Sequence, residues 1–237
     1  MDTMTRQSRI FLENSFTCKW CEKTFRSERT LSAHMCVKKR RMADKELTHT
    51  RLGYRVFQMF YELNTTATKA KSYEDFVKSQ YYEGFVKFGR SCVTNEYLNP
   101  EQFAEWLIKN GKKLADWSKD SLYDEFLLVY VKKEPGMKAL ERTIMYLDTW
   151  GKEQNKPWQD YFKDVTAPRA VHDIRSAKIS PWMIYLCKSG DELLVKFSDE
   201  QVKMIEHIID ATFWMKQFAN NKEEVTEVKN ACEIAGI

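Results

Sequence analysis

The sequence predicts a mainly α-helical protein, and three observations carry that reading. Glycine and proline are scarce, at 8 and 5 of 237 residues, so the punctuation that separates short strands is thin over most of the chain. Helix-starting signals recur between residues 72 and 224, ahead of apolar residues at helical spacing. One stretch near the N-terminus, Phe16 to Arg41, breaks the pattern with two cysteines, a histidine, a third cysteine and four consecutive cations.

That stretch comes first along the chain. Cys18 and Cys21 are separated by two residues, the spacing at which a tight turn aims two thiolates at one ion, and a second pair of ligands must then arrive from another element. Phe25 and Leu31 supply the few apolar side chains that a fragment of about 25 residues can muster, too few for a core without a staple. His34 is the third ligand. Cys36 stands two residues further on, where a regular helix turns side chains about 200° apart. For both to reach one ion the helix must end or tighten near Met35. His49 is the competing fourth ligand if the chain folds back, and a pair of reduced surface thiols is the reading without a metal. Four protein ligands leave no open position, so the site would be structural.

The pattern Phe16-x-Cys18-x2-Cys21-x3-Phe25-x5-Leu31-x2-His34 resembles the C2H2 zinc-finger family at six positions, over roughly residues 15–41. The resemblance implies one zinc ion and a ββα module, with a β-hairpin carrying the cysteines and a helix carrying the histidine. The chain departs from the family at the fourth ligand, because Lys38, Lys39 and Arg40 occupy the places one helical turn after His34. Residues 1–15 then read as a tail, 16–44 as the finger with its basic tail, and 45–237 as an all-helical domain of about eight or nine helices.

The resemblance places base-reading side chains at Ser27, Thr30 and Ala33. These are too short for the bidentate contacts that distinguish base pairs, and one finger spans only about 3 bp. Phosphate contacts are better supplied, by Lys23, Arg26 and Arg29 and by the run Lys38, Lys39, Arg40 and Arg41. Residues 1–53 hold 12 Lys/Arg against 6 Asp/Glu, a balance of +6; subtracted from the net +4, this leaves −2 for residues 54–237. Attraction to polyanions is therefore concentrated at the N-terminal end. The plainer reading of the basic run is a helix C-terminus favoured by exposed carbonyls.

Beyond residue 47, "RLGYRVFQMFYEL" puts Val56, Phe60 and Leu63 on one helix face and Tyr54, Phe57 and Tyr61 on the next. "NTTATKAKS" reads as a loop. Ser72 to Asp75, Asn99 to Gln102, Ser198 to Gln201 and Asn221 to Glu224 read as helix starts. Glu206, His207 and Asp210 share a turn of a helix expected from Asp199 to Phe218, opposite the stripe Val202, Ile205, Ile209 and Phe213, which marks a solvated face. His172 and Asp173 form a neighbour pair beside Arg169, Arg175 and Lys178. No phosphate loop, His-Glu-x-x-His or nucleophile elbow occurs, so no catalytic residue is assigned. Phe126 to Val131, the densest apolar run, is far short of the roughly 20 residues that span a bilayer, and no secretory signal is visible. Cysteines at 18, 21, 36, 92, 187 and 232 are too sparse for a disulfide scaffold, which points to an intracellular, reducing compartment.

These features favour a zinc-dependent nucleic-acid-binding protein, DNA before RNA. It would hold a backbone as an accessory factor within a nucleoprotein assembly, with a protein partner on the helical domain. An adaptor that uses the zinc module for protein contact is the alternative, and a nucleic-acid-processing enzyme tethered by the finger is the second. The glycine-poor, Lys- and aromatic-rich composition is also compatible with a bacteriophage or viral gene product.

Overall fold

The computed structural model describes residues 15–65 and 70–237; most of the expected N-terminal tail and the middle of the "NTTATKAKS" loop lie outside them. The fold is mainly α with a small N-terminal ββα module. It divides into two compact units between Ser118 and Lys119, and the module belongs to the first.

Within the module, β1 (Phe16–Thr17) pairs antiparallel with β2 (Thr24–Phe25), in the register Phe16 to Phe25. The short helix α1 (Glu28–Ala33) follows, and Ser27 caps it by accepting from the Thr30 N–H. It ends at Ala33, because His34 takes extended dihedrals, φ −70° and ψ 121°. A second helix, α2 (Val37–Ala43), starts after Cys36, whose sulfur accepts from the Lys39 N–H. The basic run thus sits inside a helix of its own.

The rest of the first unit is built on α3 (Thr48–Asn64), α4 (Tyr73–Lys78), α5 (Tyr82–Thr94) and α6 (Pro100–Lys109). Helices α3 and α5 touch backbone to backbone. A Cβ on Gly89 would lie 2.1 Å from the His49 carbonyl oxygen, and one on Gly53 would lie 2.8 Å from that of Phe85. Only glycine permits this approach. Around it, Phe57, Phe76, Phe85, Phe88, Phe103 and Trp117 are almost wholly buried, in tilted and edge-on ring contacts. The buried side of α3 is Thr50, Gly53, Val56 and Phe57. Leu63, expected on that face, lies past the core and is 47% exposed.

The second unit contains α7 (Asp120–Lys133), α8 (Gly136–Gln154), α9 (Tyr161–Asp164), α10 (Ala167–Arg175), α11 (Pro181–Leu186), α12 (Lys188–Leu194), α13 (Asp199–Ile209), α14 (Ala211–Asn220) and α15 (Lys222–Ala235). The helices after the module outnumber the eight or nine expected. Pieces as short as α9 and α12 show no resolvable period, and the single helix expected over Asp199 to Phe218 is broken at Asp210. Trp182, Trp214 and Phe218 pack together in its core. A buried ion pair, Glu134–Arg142 at 2.6 Å, lies in the same unit. Cys187 and Cys232 form a disulfide across 45 residues, a pairing that their spacing gives no sign of. No helix among the described residues is long and apolar enough to cross a membrane.

Candidate metal centre

Four side chains converge in the module. The turn between β1 and β2 is tied by two backbone bonds, Cys18 N–H to the Lys23 carbonyl at 2.9 Å and Glu22 N–H to the Cys18 carbonyl at 2.8 Å. Glu22 closes it in the left-handed region, φ 61°, which costs a non-glycine residue about 1–2 kcal/mol. The turn holds Cys18 and Cys21 side by side. From the other direction, His34, Met35 and Cys36 run as a non-helical segment between α1 and α2, with extended dihedrals at His34 and at Cys36 (φ −79°, ψ 164°). In an extended chain, alternate side chains share a face. This resolves the geometric problem of two ligands only two residues apart.

The ligand atoms of Cys18, Cys21, His34 and Cys36 all lie within 4.8 Å of one another, and Cys21 Sγ is 3.2 Å from His34 Nε2. The group can hold one metal ion. The His34 ring packs 4.7 Å from Phe25, centroid to centroid, which orients the imidazole. Among the described residues it is the single group of three or more such side chains so placed, and His49 is not part of it.

The two knuckle thiols are electrostatically unlike. Cys18 is held below the ordinary thiol value, chiefly by the Cys21 and Trp20 backbone N–H groups that stabilise its thiolate. Cys21 moves up: the Lys23 N–H pulls it down, but desolvation and the neighbouring Cys18 and Cys36 sulfurs outweigh that pull. Crowded sulfurs that resist joint ionisation are relieved by a cation among them.

The expected phosphate-contacting cations divide into two sets. Lys23, Arg26, Arg29 and Arg40 are exposed and Lys38 is half-buried. Lys39 turns back instead, donating to the His34 carbonyl at 3.1 Å and the Ser32 carbonyl at 3.3 Å, where it caps the end of α1. Arg41 is only 18% exposed. It donates to the Val77 and Ser79 carbonyls at 2.9 and 3.4 Å, pairs with Glu83 and lies over the Tyr82 ring. The sequence carries no sign of these roles, because the Arg41 partners lie 36 to 42 residues away. Ser27 and Thr30 are occupied with each other at the helix cap.

Other candidates are not assembled as sites. Asp210 caps α14 by accepting from the Thr212 and Phe213 N–H groups at 2.9 and 3.2 Å, which removes it from Glu206 and His207. His207 lies below its ordinary value, through desolvation first and then the nearby Arg175 and Lys132. Successive residues of α10 lie about 100° apart around the helix, which leaves His172 exposed while Asp173 is buried. Asp173 accepts from the Tyr161 hydroxyl at 2.8 Å and Arg169 Nε at 3.0 Å. Desolvation first, and then that carboxylate, push the Tyr161 pKa far up.

No family model, curated protein or solved structure matches the chain. Function therefore rests on the site itself.

Proposed function

We propose that the module is a variant C2H2-type zinc finger that binds one structural zinc ion through Cys18, Cys21, His34 and Cys36, and that the protein holds a nucleic-acid backbone without reading its sequence. The observation that supports this best is the convergence of three sulfurs and one imidazole nitrogen within 4.8 Å. Tetrahedral zinc, with bonds of about 2.3 Å to sulfur and about 2.0–2.1 Å to nitrogen, requires ligand spacings of roughly 3.5–3.8 Å, which lie between the 3.2 Å from Cys21 to His34 and the 4.8 Å limit of the group. A soft, sulfur-rich donor set suits zinc over magnesium or calcium. The ion would hold the β1–β2 turn to the start of α2.

Phosphate contact falls to Lys23, Arg26, Arg29, Lys38 and Arg40, whereas Lys39 and Arg41 donate to the protein's own carbonyls. Duplex DNA is the preferred ligand. With five contacts at most, log Kd against log salt should have a slope no steeper than about 4.5 in magnitude. The short, mutually bonded Ser27 and Thr30 support backbone binding over base reading. The test is fluorescence anisotropy of zinc-loaded full-length protein with two unrelated duplexes across a salt series. Equal affinities with a steep salt slope support the reading. Undetectable binding, or salt-independent capture of a protein in its place, would overturn it.

A further inference from the structure

The same extended segment that turns His34 and Cys36 inward leaves Met35 and Val37 on the outside. They are 54% and 58% exposed, the two most exposed large apolar side chains described in the first unit. Val37 opens α2, and Arg40 lies three residues later, one turn away on the same helix face. An apolar pair at the metal-ligand end of the module is thus followed by the half-buried Lys38 and the exposed Arg40. Exposed methionine and valine are not what a surface that meets only phosphates requires.

We propose that Met35 and Val37 form an apolar wedge that enters nucleic acid where bases are already unstacked, so that the module prefers bulged or otherwise distorted duplex to intact duplex. The proposal rests on the backbone-binding reading above and adds a class of target to it. Charge decides the occupant. Residues 1–53 carry an excess of +6, 12 Lys/Arg against 6 Asp/Glu, and Lys38 and Arg40 border the pair, so an approaching polyanion is steered onto it. Apolar wedges set among Lys and Arg enter base steps in this way in architectural DNA-binding proteins. Opening a stacked step costs free energy, and least where the base is mismatched or unpaired. A wedge of two modest side chains therefore acts as a selector for steps that are open beforehand. Because the metal fixes His34 and Cys36 facing inward, the outward direction of the pair is set before any ligand arrives.

The experiment uses zinc-loaded full-length protein and three anisotropy probes: a duplex, the same duplex with a central bulge, and one of its strands. The wild type should favour the bulged duplex over the intact one by about tenfold. Met35→Ser/Val37→Ser should bring the two within about twofold while leaving intact-duplex affinity, salt slope and bound zinc unchanged. Met35→Leu, which keeps the apolar volume, should retain the preference; it also serves as the second variant if the serine pair loses zinc. Binding by the wild type without a preference for the bulge, or a preference that survives the serine substitutions, overturns the wedge alone. Failure to bind any probe sinks the backbone reading and the wedge with it.

Discussion

The Arg41 guanidinium lies 4.3 Å over the Tyr82 ring. Together with its bonds to the Val77 and Ser79 carbonyls, this fastens α2 of the metal module to α4 and α5. Tyr73 completes the joint by donating its hydroxyl to the Arg41 carbonyl at 2.7 Å. Arg41→Ala should cost the first unit about 2–4 kcal/mol, from charged hydrogen bonds and a partly desolvated cation–π contact. Arg41→Lys should recover only part of that, because a point charge cannot serve the same fork of acceptors. Denaturant unfolding measures the loss. If the protein holds a DNA backbone as proposed, the salt slope should not change, whereas loss of a phosphate contact would lower it by about 0.9.

Metal retention separates the two fourth-ligand candidates. Cys36→Ser should weaken retention by more than about 100-fold, beyond the range seen for outer-shell changes. His49→Ala should leave it unchanged. Competition with a chromophoric chelator distinguishes the two, and retention by the Cys36 variant would return His49 to the site.

The contact between α3 and α5 allows no added atom. Gly89→Ala would drive a methyl into the His49 carbonyl and should cost about 3 kcal/mol or more. Gly53→Ala, with its nearest atom at 2.8 Å, should cost less. Chemical denaturation gives the order, and metal retention by the proposed site should match the wild type in both.

At α10, the buried, bonded Asp173 and the exposed His172 predict different costs of substitution. Asp173→Asn should unfold the second unit more easily by about 3–5 kcal/mol, since it leaves a buried, charged network incomplete. His172→Ala should fall within about 0.5 kcal/mol of wild type. Thermal unfolding of both variants tests this.

The capping box at the start of α4 should be visible in acid. Asp75 accepts from the Ser72 N–H at 2.9 Å and hydroxyl at 2.8 Å, and the backbone bond is the larger cause of its lowered pKa. A depressed carboxyl contributes stability that is full above its unfolded value of about 3.9 and is lost as pH falls through the lower folded value. Asp75→Asn should therefore remove part of the decline in melting temperature below about pH 4. Ser72→Ala should cost about 1 kcal/mol at neutral pH.

Local chemistry explains what could be read in advance. Cys18, Cys21, His34 and the β1–β2 turn lie close along the chain, and the boxes at Ser72 and Ser198 each close within four residues, so spacing points to them. In the sequence Cys36 is an open choice beside His49, because spacing does not show that the helix ends at Ala33. The start at Asn221 was legible but its chemistry was not. Glu224 accepts from the Gly136 N–H, 88 residues away, and makes no box with Asn221. Asp210 reads as one more polar residue on a helix face, because nothing in an apolar period marks where a side chain will cap a new helix. Lys39 and Arg41 look like their neighbours in a basic run, and only the packed fold separates the inward cations from the outward ones.

From Cys36 to Arg41 is five residues of one helix with no linker, a span of about 7.5 Å. Modules joined by glycine-serine tethers swivel freely and report only proximity. Here the arm between the Cys18, Cys21, His34 and Cys36 cluster and the docking arginine resists torsion. A molecule gripping the metal end would orient the first unit as a handle orients a blade, and a single inserted residue in α2 would rotate that handle by about 100°.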